Sequence, residues 1–220
     1  MKSIKDGSLY LVLTGGFGGG RDVLEIAGLA VSGGVDIIQM REKGKTPEEL
    51  ADSGNKLSGL CRANGVIFIV NDDPFLAKRV NADGVHLGQE DIEKYPLDMV
   101  REIVGKDRMI GLSTHSVPQF EEANKSDVDY IAFGPVFPTE TKNYNVGTGD
   151  IQKVLSIADK PVVFIGGIDQ GNVDMVLGKG ARNIAVIRAI MRAEDIISAV
   201  REFKKKINSY AKKNDSQDKR

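Results

Sequence analysis

Short apolar runs alternate regularly with longer segments of helical periodicity along this chain. The apolar runs are continuous, as in strands that are buried on both faces of a parallel sheet. The segments between them repeat apolar residues at spacings of three and four, as amphipathic helices do. Eight strands are predicted: Leu9–Leu13, Val35–Met40, Val66–Val70, Gly84–Leu87, Met109–Leu112, Tyr130–Phe133, Val162–Ile165 and Asn183–Ile187.

Local capping signals place helices after these strands. Thr46, Pro47 and Glu49 have the spacing of a capping box with proline at the first helical position. Asn64-Gly65 ends that helix near Ala63. The other predicted helices are Val23–Ser32, a short helix that opens at Pro74, Pro96–Val104, Val117–Ala123, Ile151–Ala158, Gly171–Lys179 and Ala193–Ile207.

Eight strand–helix units predict an α/β fold, a single-domain (βα)8 TIM barrel with parallel strands. A doubly wound open sheet is the alternative, but it usually has fewer strands and a G-x-G-x-x-G motif after the first one. The glycine-rich first loop, residues 15–21, lacks that spacing and is either a lid or a flexible linker. We assign residues 1–207 to the barrel domain and residues 208–220 to a polar C-terminal tail.

Composition excludes several classes of partner and compartment. Apolar residues make up 41% of the 220 residues, and the net charge of −1 gives no reason to expect nucleic acid. The one cysteine, Cys61, cannot form an internal disulfide, so we expect a reducing compartment and a small buried thiol. No apolar run approaches the roughly 18 residues that a membrane span needs. The first residues have no secretory signal pattern, so we expect a cytoplasmic protein without a membrane partner.

Acidic residues follow two neighbouring strands of the predicted barrel. Asp72 and Asp91 come after the third and fourth strands, whose carboxyl ends open on one mouth. Two carboxylates there suit Mg²⁺, which takes one or two carboxylates together with phosphate oxygens and water. Helix capping is the alternative for both, and it is our interpretation of Asp73, which precedes Pro74. The spacing alone leaves the choice open for Asp72 and Asp91.

Basic residues follow two other strands. Arg41 and Lys43 lie just after the second strand, and Lys142 lies after the sixth. Arginine binds phosphate oxygens through its planar fork, and lysine supplies a point charge. Bases and acids around one mouth therefore suit an anion that is shared between a metal ion and side chains. We expect Glu42 to point away from the mouth and to pair locally.

The last two strands end in a pattern that fits a second anion. The seventh strand ends at Gly166-Gly167, and the eighth ends at Ile187-Arg188. Barrels often bind a phosphate between these two loops through backbone N–H groups, although a tight turn also explains a glycine pair. Thr139 and Thr141 either donate hydroxyls or belong to a turn. The residues therefore predict two phosphate-bearing ligands: a diphosphate held with Mg²⁺, and a monophosphate near the last two strands.

The two histidines carry little chemistry by themselves. His86 lies within a predicted strand, so a hydrogen-bonded core residue is the expected role. His115 follows the fifth strand and can face the mouth. Neither has a visible serine or cysteine partner for a nucleophilic triad, and zinc lacks soft ligands here.

Taken together in order, these motifs resemble the thiamine-phosphate synthase family between about Leu9 and about Ile197. The segments that carry the resemblance are Gln39–Lys43, Asn71-Asp72, Gly84–Gln89 with Asp91, Ser113–His115, Gly134–Lys142 and Ile165–Ile168. The resemblance implies a (βα)8 barrel that joins a hydroxymethylpyrimidine diphosphate to a thiazole phosphate, giving thiamine phosphate and diphosphate. It also implies a dissociative substitution, in which diphosphate leaves before the thiazole nitrogen attacks.

The same resemblance implies a role for each matching residue. The catalytic residues would be Arg41, Lys43, Ser113 and Lys142, and the Mg²⁺ ligands would be Asp72 and Asp91. The substrate-binding residues would be Gln39, Met40, Arg41, Glu42, Lys43, Asn71, Ser113, Thr139, Glu140, Thr141, Lys142, Gly167, Ile187 and Arg188.

The chain departs from the family pattern in three places. Arg188 replaces the usual serine, the first loop is glycine-rich where an acid is common, and the stretch between Asp91 and Ser113 is slightly longer. Two other functions stay open, a thiazole tautomerase-like isomerase and a non-catalytic phosphate-ligand sensor. The sequence is also compatible with a homo-oligomer.

Overall fold

The computed structural model describes residues 2–140 and 144–217, the last six of these as backbone. Its strands are β1 (Leu9–Leu13), β2 (Ile37–Met40), β3 (Ile67–Asn71), β4 (Gly84–Leu87), β5 (Met109–Thr114), β6 (Tyr130–Phe133), β7 (Val162–Ile165) and β8 (Asn183–Val186). Its helices are α1 (Val23–Gly33), α2 (Pro47–Ala63), α3 (Pro74–Arg79), α4 (Asp91–Lys94), α5 (Leu97–Val104), α6 (Val117–Lys125), α7 (Ile151–Ile157), α8 (Val173–Leu177), α9 (Arg188–Met191) and α10 (Ile196–Gln217).

The strands form a closed parallel barrel. They pair in chain order, and β8 pairs with β1 to complete the ring. At the closure, Leu9 lies opposite Ile184 and Tyr10 lies opposite Ala185. The predicted (βα)8 barrel is confirmed, and the open-sheet alternative is wrong.

The predicted strands are all present, with small shifts at their ends, whereas the helices differ more. α4 and α9 were not predicted, because a single turn is too short to show a helical period. α10 begins three residues later than predicted, since Asp195 accepts a hydrogen bond from the Ser198 N–H at 3.0 Å and caps the first turn. It continues past Ile207 to Gln217. The division of the chain at residue 207 stays a prediction.

Alternate residues of each strand point into two different apolar layers. Leu9, Leu11 and Leu13 of β1 pack outward against the helices, while Tyr10 and Val12 point into the barrel. Both layers are almost completely buried, which explains why the strands are continuous apolar runs in the sequence. No helix in the described ranges has the length and apolar content that a membrane crossing requires.

Polar side chains replace apolar ones at the carboxyl ends of several strands. Gln39 of β2 donates to Asn71 of β3 at 3.1 Å. His86 of β4 lies 2.8 Å from the hydroxyl of Ser113 of β5. The barrel interior is therefore mainly apolar away from the mouth and polar at the carboxyl ends of the strands, where the loops from successive strands meet.

Candidate active site

A cavity of about 860 Å³ opens at the carboxyl ends of the strands. Most of the residues predicted from the sequence line it together: Gln39, Arg41, Lys43, Asn71, Asp72, Asp91, Ser113, Thr139, Glu140, Gly167, Ile187 and Arg188. Barrel closure thus joins segments that are far apart in the chain, as a shared mouth requires. Predicted residues Thr141 and Lys142 lie outside the described residues.

Met40 and Glu42 do not line this cavity. The Met40 side chain is buried in the outer apolar layer. The Glu42 side chain is 3% exposed and forms an ion pair with Lys45 at 3.1 Å, which confirms the expected local pairing. The alternation of side chains along a strand end explains this placement, because Gln39 and Arg41 take the inward positions.

The acidic corner of the cavity is formed by Asp72 and Asp91. Burial and the adjacent Asp91 carboxyl raise the pKa of Asp72 to about 7, and the charges of Arg41 and Lys43 oppose that rise. Asp72 has a φ of 65°, an uncommon conformation for a residue with a side chain. Its backbone N–H donates to the carbonyl of His86 at 2.8 Å, and the Gly88 N–H donates to Asp91 Oδ2 at 2.7 Å.

The helix ends show which of the three aspartates act as caps. Neither Asp72 nor Asp91 occupies a helix N-cap, whereas Asp73 caps α3 by accepting from the Leu76 N–H at 2.9 Å. The capping alternative is therefore wrong for the first two and confirmed for Asp73. Two facing carboxylates with basic neighbours are the kind of oxygen donor set that suits Mg²⁺. Within the described part of the chain, no cluster of three or more potential metal ligands occurs.

His86 connects the cavity with the barrel core. Its Nδ1 lies 2.9 Å from the Tyr130 hydroxyl, and its Nε2 contacts Ser113. Burial lowers the pKa of His86 to about 4, so the ring is neutral at pH 7. The expected hydrogen-bonded core histidine is confirmed, but the sequence analysis did not anticipate that it also lines the cavity and holds Ser113.

The opposite side of the cavity is formed by the loops after β6, β7 and β8. Gly166 and Gly167 have φ values of 103° and 64°. A Cβ at Gly166 would lie 2.2 Å from Pro135 Cβ, and one at Gly167 would lie 2.5 Å from the Pro138 carbonyl oxygen. These glycines therefore allow a close approach of two loops, which a simple tight turn would not require.

Arg188 and Arg192 bring positive charge to this side. Both guanidinium groups pair with Glu140, Arg192 at 3.7 Å. They also lie over the ring of Phe17, with distances of 5.9 Å and 5.2 Å to its centroid. Phe17 and Arg192 were not predicted, since their signal is a through-space contact between loops.

The glycine-rich first loop reaches over the cavity. Arg21 donates hydrogen bonds to the carbonyls of Met191 and Ala193 at 2.9 and 2.8 Å. These bonds attach the loop to the end of α9, and Phe17 lines the cavity beside it. The loop is therefore anchored rather than a free linker, and its role as a lid stays a prediction.

The fold and the site together define a single-domain (βα)8 barrel with a large cavity, lined in part by charged side chains, at its carboxyl-terminal mouth. Comparison with known proteins identifies the family within this class of barrels. A family model described as thiamine monophosphate synthase matches residues 9–190. The thiamine-phosphate synthase of Persephonella marina is 39% identical over 193 residues, covering 87% of this chain and 91% of the relative. That of Shouchella clausii is 41% identical over 194 residues, with the same coverage of both chains.

A solved structure agrees with these relatives. The thiamine phosphate pyrophosphorylase from Pyrococcus furiosus superposes with a TM-score of 0.84 at 35% identity, covering 93% of this chain and 96% of that one. The orotidine 5'-phosphate decarboxylase from Pyrococcus horikoshii has a TM-score of 0.64 at 18% identity, which shows a shared fold alone. This chain belongs to the thiamine monophosphate synthase family, and the resemblance noted from its motifs is confirmed.

Proposed function

We propose that this protein is a transferase that makes thiamine phosphate. It condenses 4-amino-2-methyl-5-hydroxymethylpyrimidine diphosphate with 4-methyl-5-(hydroxyethyl)thiazole phosphate and releases diphosphate. Family membership supports the reaction. The observation that carries the site assignment is that one cavity holds two separate basic groups. Arg41 and Lys43 stand beside the acidic pair, and Arg188 and Arg192 stand by the last strand.

The acidic pair fits Mg²⁺. Asp72 and Asp91 face each other, and Asp91 is oriented by the Gly88 N–H. Two carboxylates leave coordination positions for phosphate oxygens and water, which is the usual arrangement for this ion. When bound, Mg²⁺ neutralises charge on the diphosphate and so makes it a better leaving group.

The leaving-group end of the site is assigned to residues around that pair. Arg41 and Lys43 bind diphosphate oxygens, and Lys142 adds a further charge from the loop after β6. Asn71 and Gln39 are held together by a hydrogen bond and orient the pyrimidine diphosphate, with Met40 and Glu42 supporting the same segment. Ser113 adds a hydroxyl. The C–O bond breaks with its electrons on diphosphate, so charge stabilisation at this end supplies most of the rate.

The nucleophile end is assigned to the opposite side. Gly167 and the backbone of Ile187 and Arg188 bind the thiazole phosphate, with hydroxyls from Thr139 and Thr141 and positive charge from the Arg188 guanidinium. Glu140 lies in the same lining and neutralises Arg188 before a ligand arrives. Two phosphates bound at fixed points hold the thiazole nitrogen in line with the pyrimidine methylene, and its lone pair forms the new C–N bond.

The other candidate functions are less well supported. A thiazole tautomerase-like isomerase has no need for the diphosphate-binding groups that this chain retains, among them Asp72, Asp91 and Lys43. A non-catalytic sensor has no need for a metal site. The cytoplasmic location and a homo-oligomer stay predictions.

The test is an assay with both substrates and Mg²⁺, in which thiamine phosphate is converted to fluorescent thiochrome. Product is expected from the wild type and not after chelation of Mg²⁺, and its absence in the complete mixture would contradict the proposal. Asp72→Ala should lower kcat by about 100-fold or more, the equivalent of several kcal/mol of charge stabilisation.

Asp73→Ala is the matched control, because Asp73 is the neighbouring acid but caps α3 outside the main cavity. It should reduce thermal stability while leaving the activity of the folded protein near that of the wild type. Equal activity in wild type and Asp72→Ala would remove the metal assignment.

A further inference from the structure

Four polar side chains form a hydrogen-bonded chain from the barrel interior to the cavity. Tyr10 Oη lies 3.0 Å from Tyr130 Oη, and Tyr130 Oη lies 2.9 Å from His86 Nδ1. His86 Nε2 then lies 2.8 Å from Ser113 Oγ. Tyr10, Tyr130 and His86 are buried, and His86 and Ser113 line the cavity. The chain therefore links the core to one residue of the proposed diphosphate site.

The inner end of this chain has a single hydrogen-bond partner. Tyr10 packs among apolar side chains that include Val12, Ile37 and Val163. Within the described part of the protein, Tyr130 Oη is the one group that bonds to Tyr10 Oη. A buried hydroxyl proton without an acceptor is costly, so Tyr10 donates to Tyr130.

The direction of the remaining bonds follows from the number of protons. Tyr130 Oη accepts the Tyr10 proton, so its own hydroxyl proton cannot point back to Tyr10. Tyr130 therefore donates that proton to its other partner, His86 Nδ1. A neutral imidazole has one N–H, which must then be on Nε2 and point to Ser113 Oγ. We propose that the buried Tyr10 hydroxyl sets this direction, holds His86 as the Nε2–H tautomer and leaves Ser113 to donate its own proton to the bound ligand.

This direction matters for the ligand. The ionised oxygens of a phosphate accept hydrogen bonds and cannot donate them, so a donor at Ser113 matches them. Gln89 fixes the same residue from the other side, because its amide donates to the Ser113 carbonyl at 2.6 Å. The functional part of this inference rests on the proposed function, in which the anion is the diphosphate. Tyr10, Tyr130 and His86 are positioning residues that act through Ser113.

Gly111 gives the network its space. A Cβ at this position would lie 2.1 Å from Tyr130 Cζ, so a side chain on Gly111 is incompatible with the Tyr130 ring where it bonds to His86. Gly111 lies opposite His86 in the β4–β5 register. The network thus depends on a glycine in the middle of β5, although glycine inside a strand usually weakens that strand.

Nitrogen NMR of protein labelled with ¹⁵N-histidine tests the tautomer directly. The chain has two histidines, so in the variant His115→Gln the remaining histidine signals belong to His86. The expected spectrum shows a protonated Nε2 and an unprotonated Nδ1. A protonated Nδ1 would mean that Ser113 donates to His86, and it would overturn the inference.

Two variants show whether Tyr10 or Ser113, at the two ends of the hydrogen-bonded network, sets the tautomer of His86. In Ser113→Ala the Nε2–H tautomer should persist, because the direction is set from Tyr10; a switch to Nδ1–H would place control at Ser113 and contradict us. In Tyr130→Phe the Nδ1 partner is lost, so a mixture of tautomers is expected. If Tyr130→Phe does not fold, Ser113→Ala alone decides the question.

Steady-state kinetics test the effect on Ser113. Tyr130→Phe should lower kcat/KM for the pyrimidine diphosphate by about tenfold, the scale of one lost hydrogen bond, without changing KM for the thiazole phosphate. Tyr95→Phe, the same change outside the cavity, is the control. Equal effects on both substrates, or none, would contradict the positioning role. The NMR measurement does not depend on turnover. If the spectrum shows the Nε2–H tautomer but the protein makes no thiamine phosphate, the result contradicts the proposed function and not the tautomer assignment.

Discussion

At the scale of single residues, Arg188 and Glu140 are the pair on which the proposed second phosphate site most depends. The Arg188 side chain is 23% exposed and the Glu140 side chain is 64% exposed. An ion pair this accessible to solvent contributes little to stability. Its consequence is for binding, because a carboxylate occupies the guanidinium that is proposed to meet the thiazole phosphate.

Substitution of the two partners should therefore change affinity in opposite directions. Arg188→Ala should raise KM for the thiazole phosphate by about tenfold or more, since a hydrogen bond to a charged group contributes about 1.5–3 kcal/mol. Glu140→Gln should lower the same KM by about threefold, because it removes a competing charge of modest strength. KM for the pyrimidine diphosphate should stay constant in both, as measured by steady-state kinetics with one substrate saturating.

Arg201→Ala is the control for loss of an arginine, because Arg201 is exposed on α10 and does not line the cavity. A rise in KM for the thiazole phosphate in Glu140→Gln would show that Glu140 assists binding directly. That result would contradict the competition between Glu140 and the ligand.

At the scale of elements, α2 shows how local chemistry starts a helix. The Thr46 hydroxyl accepts from the Glu49 N–H at 3.3 Å, and the Glu49 carboxylate accepts from the Thr46 N–H at 2.8 Å. The predicted capping box with Pro47 behind it is confirmed. The hydrogen bonds from Thr46, backbone first, lower the pKa of Glu49. This helix is joined to β2 by a six-residue loop that carries Arg41 and Lys43, two residues of the cavity lining.

Removal of the cap should weaken the fold without changing the site. Thr46→Ala should lower the free energy of unfolding by about 1 kcal/mol, the usual cost of losing an N-cap hydroxyl. Thr46→Ser keeps the hydroxyl and should lose much less. Urea denaturation followed by circular dichroism measures both, and equal stability of the two variants would show that the hydroxyl contributes nothing.

At the scale of the whole molecule, the barrel and its helices isolate Cys61 from solvent. The residue lies on α2, and its side chain is fully buried in the outer apolar layer. Burial raises the pKa of the thiol to about 12, which leaves very little thiolate at pH 8. The expected small buried cysteine is confirmed.

The thiol should therefore report global opening of the barrel. In native protein at pH 8, Cys61 should react with a thiol reagent far more slowly than in urea-unfolded protein, because labelling requires the layer between β2, β3 and α2 to open. The exposed position Ser209 on α10 offers an internal control as Ser209→Cys. Similar labelling rates for the two thiols in the native variant would mean that Cys61 is accessible.

Much of this protein was predictable because the signals are local. The eight strands follow from continuous apolar runs, and their order in the barrel follows from the alternation with helices. Asp72, Asp91, Arg41 and Lys43 were found because residues that end barrel strands must share one mouth. The single-turn helices α4 and α9 escaped prediction because they are too short to show a period.

Local sequence signals were enough for the eight strand–helix units, the capped helices and the charged residues that follow the strands, since each of these depends on neighbours within a few positions. The tertiary structure alone decided which of them touch. Tyr10 meets Tyr130 across 120 positions of sequence, Arg21 meets Met191 across 170, and Arg188 pairs with Glu140 from another loop. Such contacts depend on the register of strands and the path of loops, which no local pattern encodes. The direction of the proton chain to Ser113 follows from that packing, because an apolar interior leaves Tyr10 one place to donate.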